Sequence, residues 1–285
     1  MSSLPTAPSS PSNEPIAKPN REPKSQRAEG YRAWLVLLVV AKLSALVLLL
    51  MQHYTAALVF FFLPAPWFLL QIFKPSARGL GPAVTHFKTT RREVWLTIDD
   101  GPHPLSTPAV LDLLDAHGAR ATFFLIGEKV LRHPALVAEI LRRGHTIGNH
   151  TQTHPCASFW CASARRTAAE IDACAQALHQ AGAVSTQLFR PPVGIKNHAL
   201  HRQLAKRDLD LILWSVRGCD TVSLDPAKTL ARITRHLAPG AILLIHENAT
   251  RPAMRTALFT ALLTHLAAEN YTCVIPPRET LIRKN

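Results

Sequence analysis

The 285-residue sequence holds only five cysteines, an odd number with no dense framework, so disulfides are not the main source of its stability. No internal repeat is evident, which sets aside a repeat array. The chain is also short of acid: 32 Lys and Arg stand against 19 Asp and Glu, a formal charge of +13. That excess is unevenly placed, with eleven basic against three acidic residues before Glu93 (+8) and 21 against 16 from there on (+5). Most of it flanks N-terminal apolar segments, where it reads as membrane orientation rather than a groove for phosphates. No aromatic-basic motif accompanies it, so nucleic acid is not expected as a partner. What the sequence does have is apolar residues, 47% of the total, enough to fill a substantial core.

Residues 1–31 are Pro, Ser and charge with almost no large apolar side chain, and read as a disordered basic tail. Residues 32–74 contain two apolar runs, Ala33 to Leu50 and Ala56 to Phe73, separated by Met51 to Tyr54. Each is about the length that crosses a bilayer core. The long preceding tail and the missing small-residue cleavage site favour a retained anchor over a signal peptide. Lys42, in mid-segment, must snorkel, face a partner helix or meet water, and Pro64 to Pro66 imply a kink. A membrane location follows, in the setting of a bacterial inner membrane. With both runs spanning, the basic residues at either end of the hairpin put the soluble part in the cytoplasm; with only the first spanning, it lies outside.

Residues 75–92 read as a linker, and 93–285 as one α/β domain in which β-rich runs alternate with helical ones around a parallel sheet. The strands are expected at Val94 to Ile98, Ala121 to Leu125, Thr146 to Gly148, Gln187 to Phe189, Leu209 to Ser215, Ala241 to Ile245 and Tyr271 to Ile275. Thr107 and Asp225, each followed by Pro, read as helix N-caps; Gly118, Gly144 and Gly182 follow helix ends. Cys174 falls with Ile171, Ala175 and Leu178 at helical spacing, a core stripe. Cys156 and Cys161 bracket an aromatic pair, and for these a bridge and two free thiols are both compatible with the spacing.

Polar residues then collect at strand ends. The strand Val94 to Ile98 runs into Asp99-Asp100-Gly101-Pro102, which alone reads as an ordinary turn. His150 and His154 stand four apart, as on one face of a helical turn, and with Asp100 make three ligands that leave room for water, the pattern of a catalytic metal site. Arg190-Pro191-Pro192-Val193-Gly194, Asp220 and His246 each follow another strand. In a barrel of βα units all strand carboxyl ends open on one face, so these residues converge there.

The motifs Thr97 to Pro102, His150 to His154, Arg190 to Gly194 and Leu243 to His246, in this order from about Glu93 to Ile275, resemble those of the polysaccharide deacetylase family, the NodB-homology or carbohydrate esterase family 4 domain. The resemblance implies a distorted (β/α) barrel of about seven parallel strands, here preceded by the helical membrane hairpin. It implies one divalent metal, usually zinc and sometimes cobalt or nickel, and hydrolysis of N-acetyl groups on amino sugars. By the same resemblance Asp100, His150 and His154 hold the metal, Asp99 is the general base, and Arg190 orients Asp99. His246 is the general acid, held by Asp220; the Val193 backbone N–H stabilises the oxyanion, and Leu244 lines the slot for the acetyl methyl.

Two positions depart from the family pattern. Val193 stands where an aromatic residue is usual, and Thr221 where Trp is typical. Both remove aromatic wall from the sugar groove, which favours a short glycan or a lipid-linked sugar as partner over a long polymer. Phe159 and Trp160 are candidate replacements for that wall. Two other readings accompany the deacetylase: a catalytically silent carbohydrate-binding relative, and a hydrolase of a small non-sugar amide on the same barrel.

Overall fold

The computed structural model describes residues 29–284 apart from 78, 184, 223–224 and 248–251, so most of the expected tail lies outside the described residues. The first elements are α1 (Glu29–Leu50), α2 (Tyr54–Phe62) and α3 (Pro64–Phe73). Tyr54–Phe73 forms one 20-residue stretch long and apolar enough to cross a membrane by length and composition; Trp34–Leu50 is apolar but shorter. The two arms pack through Trp34, whose ring stacks 5.7 Å from Trp67 and 5.1 Å from Phe68. Val36, Leu43, Leu50, Leu58 and Phe62 are exposed on the outside. Lys42 faces the partner arm, its ammonium donating to the Phe61 carbonyl at 2.8 Å and lying 3.1 Å from the centre of the Phe61 ring. The Phe61 carbonyl lies in the last turn of α2, where the chain breaks before α3, and Lys42 supplies a donor there.

The remaining chain forms β1 (Ala83–Phe87), β2 (Glu93–Gly101), α4 (Ser106–Ala116), β3 (Ala121–Leu125), α5 (Gly127–Arg132), α6 (Pro134–Arg142), β4 (Thr146–Asn149) and α7 (Ala164–Gln180). After these come β5 (Leu188–Phe189), α8 (Leu200–Lys206), β6 (Asp210–Leu211), β7 (Val216–Arg217), α9 (Pro226–Arg235), β8 (Ile242–His246), α10 (Pro252–Ala268), β9 (Thr272–Cys273) and β10 (Leu281–Lys284). Seven parallel strands lie in the order β6-β5-β4-β3-β2-β8-β7, with β9 pairing β2. The outermost strands, β6 and β7, are consecutive in sequence with only Ile212 to Ser215 between them. Leu211 and Val216 are five residues apart and can be separated by roughly 18 Å at most, so the sheet must curl until its two edges nearly meet.

The run Leu209 to Ser215, read as one strand, is therefore two short pairings on opposite edges. β1 fills the seam, bridging Ile212 on one side and Ala241 on the other, and pairs antiparallel with β10. It lies in the stretch read as linker; Ala83, Val84, Thr85 and Phe87 are buried there.

Period-2 alternation divides the core. Leu96, Ile98, Phe123, Leu243 and Ile245 pack outward against the helices, while Trp95, Phe124, Phe189, Ile242 and Leu244 fill the barrel interior. Asp225 caps α9, accepting from the N–H groups of Ala227 and Lys228. Thr107 is no cap: α4 begins at Ser106, and Thr107 is buried inside its first turn, where its hydroxyl accepts from the His103 N–H. Cys174 is buried with Ile171 and Leu178, but Ala177 rather than Ala175 completes the stripe.

Candidate active site

Alternation along β2 sends Trp95, Thr97 and Asp99 to the barrel interior and would send Asp100 out. Asp100 instead adopts a left-handed φ of 73°, and the β2–β3 register shifts between Asp99 and Gly101. Both carboxylates consequently turn into one pocket, within 3.7 Å (Asp99 Oδ2) and 3.5 Å (Asp100 Oδ1) of His150 Nε2. A non-glycine residue rarely holds such a conformation unless its surroundings fix it. Lys129 contributes, its ammonium donating to the Asp100 carbonyl at 2.7 Å.

His150 to His154 form a loop after β4, not the helical turn that the spacing suggested. Thr151 (φ 69°) and His154 (φ 53°) bend it so that the two imidazoles come to 4.8 Å between ring centres. The loop is held by Glu170 of α7, which accepts from the N–H groups of Gln152 (3.0 Å) and Thr153 (2.9 Å) and from the Thr153 hydroxyl (2.7 Å). His150 Nδ1 lies 2.8 Å from the Arg190 carbonyl, so it must carry the proton, which leaves Nε2 as a lone-pair donor facing Asp100.

Those donors fit a metal. Asp100 Oδ1 lies 3.3 Å from His154 Nε2 and 3.5 Å from His150 Nε2; donors about 2.0–2.2 Å from one ion at tetrahedral angles stand roughly this far apart. Asp100 Oδ1 and His154 Nε2 are buried without a hydrogen-bond partner, a costly state unless something positive sits between them. Burial works to raise the Asp100 carboxyl, but the three facing imidazoles of His150, His246 and His154 outweigh it and hold the group well below the carboxylate range. Burial, aided by His150, pushes His154 down to about 4, so its imidazole is neutral at pH 7.

Arg190, fully buried, fans its guanidinium over the sheet seam. Nη1 donates to Asp99 Oδ1 at 2.6 Å and to Thr97 Oγ1 at 2.9 Å, while Nε and Nη2 donate to the Ile212 (3.0 Å) and Leu213 (3.2 Å) carbonyls. Opposite stands His246 at the end of β8. Its Nδ1 donates to Asp220 Oδ1 at 2.9 Å and its backbone N–H to Asp220 Oδ2 at 2.9 Å, which leaves Nε2 toward the site. Burial disfavours the imidazolium, but Asp220, with Asp99 and Asp100 beyond it, prevails and raises His246 above the ordinary imidazole range.

Val193 lies exposed in the loop after β5 with φ 48°, followed by Gly194 at φ 72°, where a Cβ would strike Trp214. Leu244 is buried two residues before His246, in the interior cluster. Phe159 is fully buried and offers no platform; Trp160 is exposed. Cys156 and Cys161 are both free, with Cys156 Sγ 3.2 Å from His154 Nδ1.

Three residues of this site went unread in the sequence. Glu170 sits at a core position of α7 beside Ile171, and a charge on an apolar stripe was the available signal. Arg255 of α10 donates to Asp220 Oδ2 at 2.5 Å. Glu247, pushed up to about 7 by burial and engaged by the Thr107 and Ser106 hydroxyls, lies behind the Asp100 turn, close enough that a Cβ on Gly101 would meet its Oε2. Neither Arg255 nor Glu247 had a local signal.

The polysaccharide deacetylase family profile matches residues 86–212. The chain is 36% identical over 164 residues to a chitooligosaccharide deacetylase of Bradyrhizobium sp. (strain ANU 289), covering 55% of this chain and 71% of that protein. It is 32% identical over 182 residues to a peptidoglycan-N-acetylglucosamine deacetylase of Bacillus cereus, covering 63% and 84%. A family 4 carbohydrate esterase from Streptomyces lividans, solved in complex with acetate, superposes with a TM-score of 0.60 at 28% identity, covering 71% of this chain and all of that one. With its four motifs on one curled parallel sheet, the chain belongs to the polysaccharide deacetylase family.

Proposed function

We propose that the protein is a metal-dependent hydrolase that removes N-acetyl groups from an amino sugar in a GlcNAc-type glycan. The observation that carries this reading is the triad Asp100, His150 and His154, with Asp100 Oδ1 3.3 Å from His154 Nε2 and 3.5 Å from His150 Nε2 and all three donors within 4.8 Å of one another, beside the Asp99–Arg190 pair and across from His246. Relatives that act on chitooligosaccharide and on peptidoglycan N-acetylglucosamine support the substrate class.

Asp100, His150 and His154 would hold one divalent ion, zinc by the nitrogen and oxygen donor set, with cobalt or nickel as substitutes. Such an ion lowers the pKa of water toward about 7 and polarises the carbonyl it touches. Asp99 accepts the proton of the attacking water, and Arg190 fixes the carboxylate that receives it. The Val193 N–H donates to the oxygen on which negative charge builds. His246 then gives the Nε2 proton to the departing amine, while Asp220 and Arg255 hold the ring in place. Leu244 offers the acetyl methyl an apolar wall.

The N-terminal hairpin would anchor this domain in a membrane. Reporters fused after Gln52 and after Lys74 test the topology, and a periplasmic signal from the Lys74 fusion rejects a cytoplasmic domain. Metal analysis of the purified protein, with acetate release from an N-acetylated chitooligosaccharide with and without chelator, tests the chemistry. A metal-free protein, or release indifferent to chelator, rejects the metal-dependent reading. A folded protein that binds the glycan and releases no acetate is the silent relative. One that cleaves only simple amides is the non-sugar hydrolase.

A further inference from the structure

Among the described residues from 75 to 284, large apolar side chains stand exposed at five positions, Leu105, Leu131, Trp160, Val193 and Val222, each between 42% and 81% accessible. Their placement is not scattered. Leu105 follows β2, Leu131 lies on α5 after β3, Trp160 follows β4, Val193 follows β5 and Val222 follows β7. Every one lies on a connection leaving the carboxyl end of a parallel strand, so all five surround the face on which Asp99, Asp100, His150 and His246 open. Four of the five are aliphatic, a poor surface for stacking a sugar ring but a good one for the apolar edge of a bilayer, where Trp also collects.

The hairpin is fastened at the same rim. Lys196, fully buried, donates from its ammonium to the carbonyls of Lys74 (3.0 Å) and Ala77 (2.7 Å), and from its backbone N–H to Ile72 (3.2 Å). Ile195 packs with Ile72, Leu80 and Phe68. Lys196 is three residues beyond Val193, and that much chain spans about 11 Å at most. The end of α3, with Leu69, Leu70 and Phe73 exposed, is thus held beside the mouth of the site, and the apolar surface of the hairpin continues toward the apolar rim.

We infer that this rim rests on the bilayer that receives the hairpin, so that the site opens onto the membrane surface and takes an N-acetylated sugar carried there by a lipid. The inference deepens the deacetylase reading and rests on it for the substrate, but not for the bilayer contact. Full-length protein is reconstituted in phosphatidylethanolamine–phosphatidylglycerol liposomes, in a Cys156→Ser/Cys161→Ser/Cys219→Ser background that leaves only the buried Cys174 and Cys273, and bimane is attached at Leu131→Cys, at Val222→Cys or, as control, at Ala138→Cys on the exposed side of α6. Labels at 131 and 222 should be quenched by spin-labelled lipid and shielded from iodide, and the label at 138 the reverse. Labels at 131 and 222 that behave like the one at 138 overturn the inference.

A second arm reads substrate choice with Leu105→Ser/Leu131→Ser/Val222→Ser, exposed positions that are not among the proposed catalytic groups. Acetate release from a soluble chitooligosaccharide in detergent should stay within about twofold of the parent, while release from an N-acetylglucosamine-bearing lipid in the liposomes falls about tenfold or more. An equal loss on both substrates overturns the lipid-carried substrate. If the parent protein releases acetate from neither, the deacetylase reading falls, and quenching still decides the bilayer contact.

Discussion

Replacing Asp99 by Asn tests the proton-accepting role with the least disturbance, because the amide oxygen can still receive the 2.6 Å bond from Arg190. Asp99→Asn should retain metal and lose on the order of a hundredfold or more in turnover; near-parent activity at full metal content would remove Asp99 from that role. The acid side carries a pH signature. His246 is raised above the imidazole range, against the effect of its own burial, chiefly by Asp220. A general acid must carry its proton, so turnover should decline as pH rises through that raised value. Asp220→Asn withdraws the charge that raises it, and the alkaline limb of the kcat profile should move to lower pH; a limb that stays put would exclude the His246–Asp220 pair as the acid. Arg255→Leu leaves Asp220 without the 2.5 Å partner on its second oxygen, and a loss of about tenfold in kcat with unchanged metal content is expected.

At the scale of elements, the site depends on how a loop and a strand end depart from regular geometry. Glu170 ties down the loop between His150 and His154 with three hydrogen bonds. Glu170→Ala should weaken metal binding about 10- to 100-fold, measured by chelator competition, because both ligands then sample other positions. An unchanged affinity would mean that the loop is rigid by itself. The same elements explain what could be read in advance. Strand β3 was legible to the residue because Ala121 to Leu125 is an isolated apolar run bounded by turns. The core of β2 was legible as the β-rich, nearly continuous apolar run Val94 to Ile98, and Asp225 through its Pro neighbour. The run from Leu209 to Ser215 misled because its local pattern is continuous, whereas its division into β6 and β7 follows from sheet curvature, a property of distant strands. β1 escaped because five residues between an apolar helix and a basic stretch carry no periodic signal. The residue types of the site were visible in their motifs. Asp100 turning inward and His150 pairing with His154 outside a helix depend on left-handed backbone that no spacing rule predicts.

Across the whole molecule, two attachments decide how the parts behave together. Lys196 joins hairpin to barrel through the carbonyls of Lys74 and Ala77. Lys196→Met should leave metal content intact but speed proteolysis within residues 74–79 by roughly tenfold, read by limited digestion of the full chain in detergent; an unaltered cleavage rate would mean that packing around Ile72 and Ile195 suffices. The other attachment is Arg190, which reaches Asp99 and also the carbonyls of Ile212 and Leu213, where the outermost strands come together. Removing one partner of a buried ion pair costs about 3–5 kcal/mol, and here the loss would fall on the joint that keeps the sheet rolled. Truncating this guanidinium should therefore lower the melting temperature together with turnover; Asp99→Asn breaks the same charge pair but leaves the guanidinium bonded to the Ile212 and Leu213 carbonyls, so its loss of melting temperature should be the smaller of the two. An inert yet well-folded version of this protein, for trapping a bound glycan, is better made at the carboxylate than at the arginine.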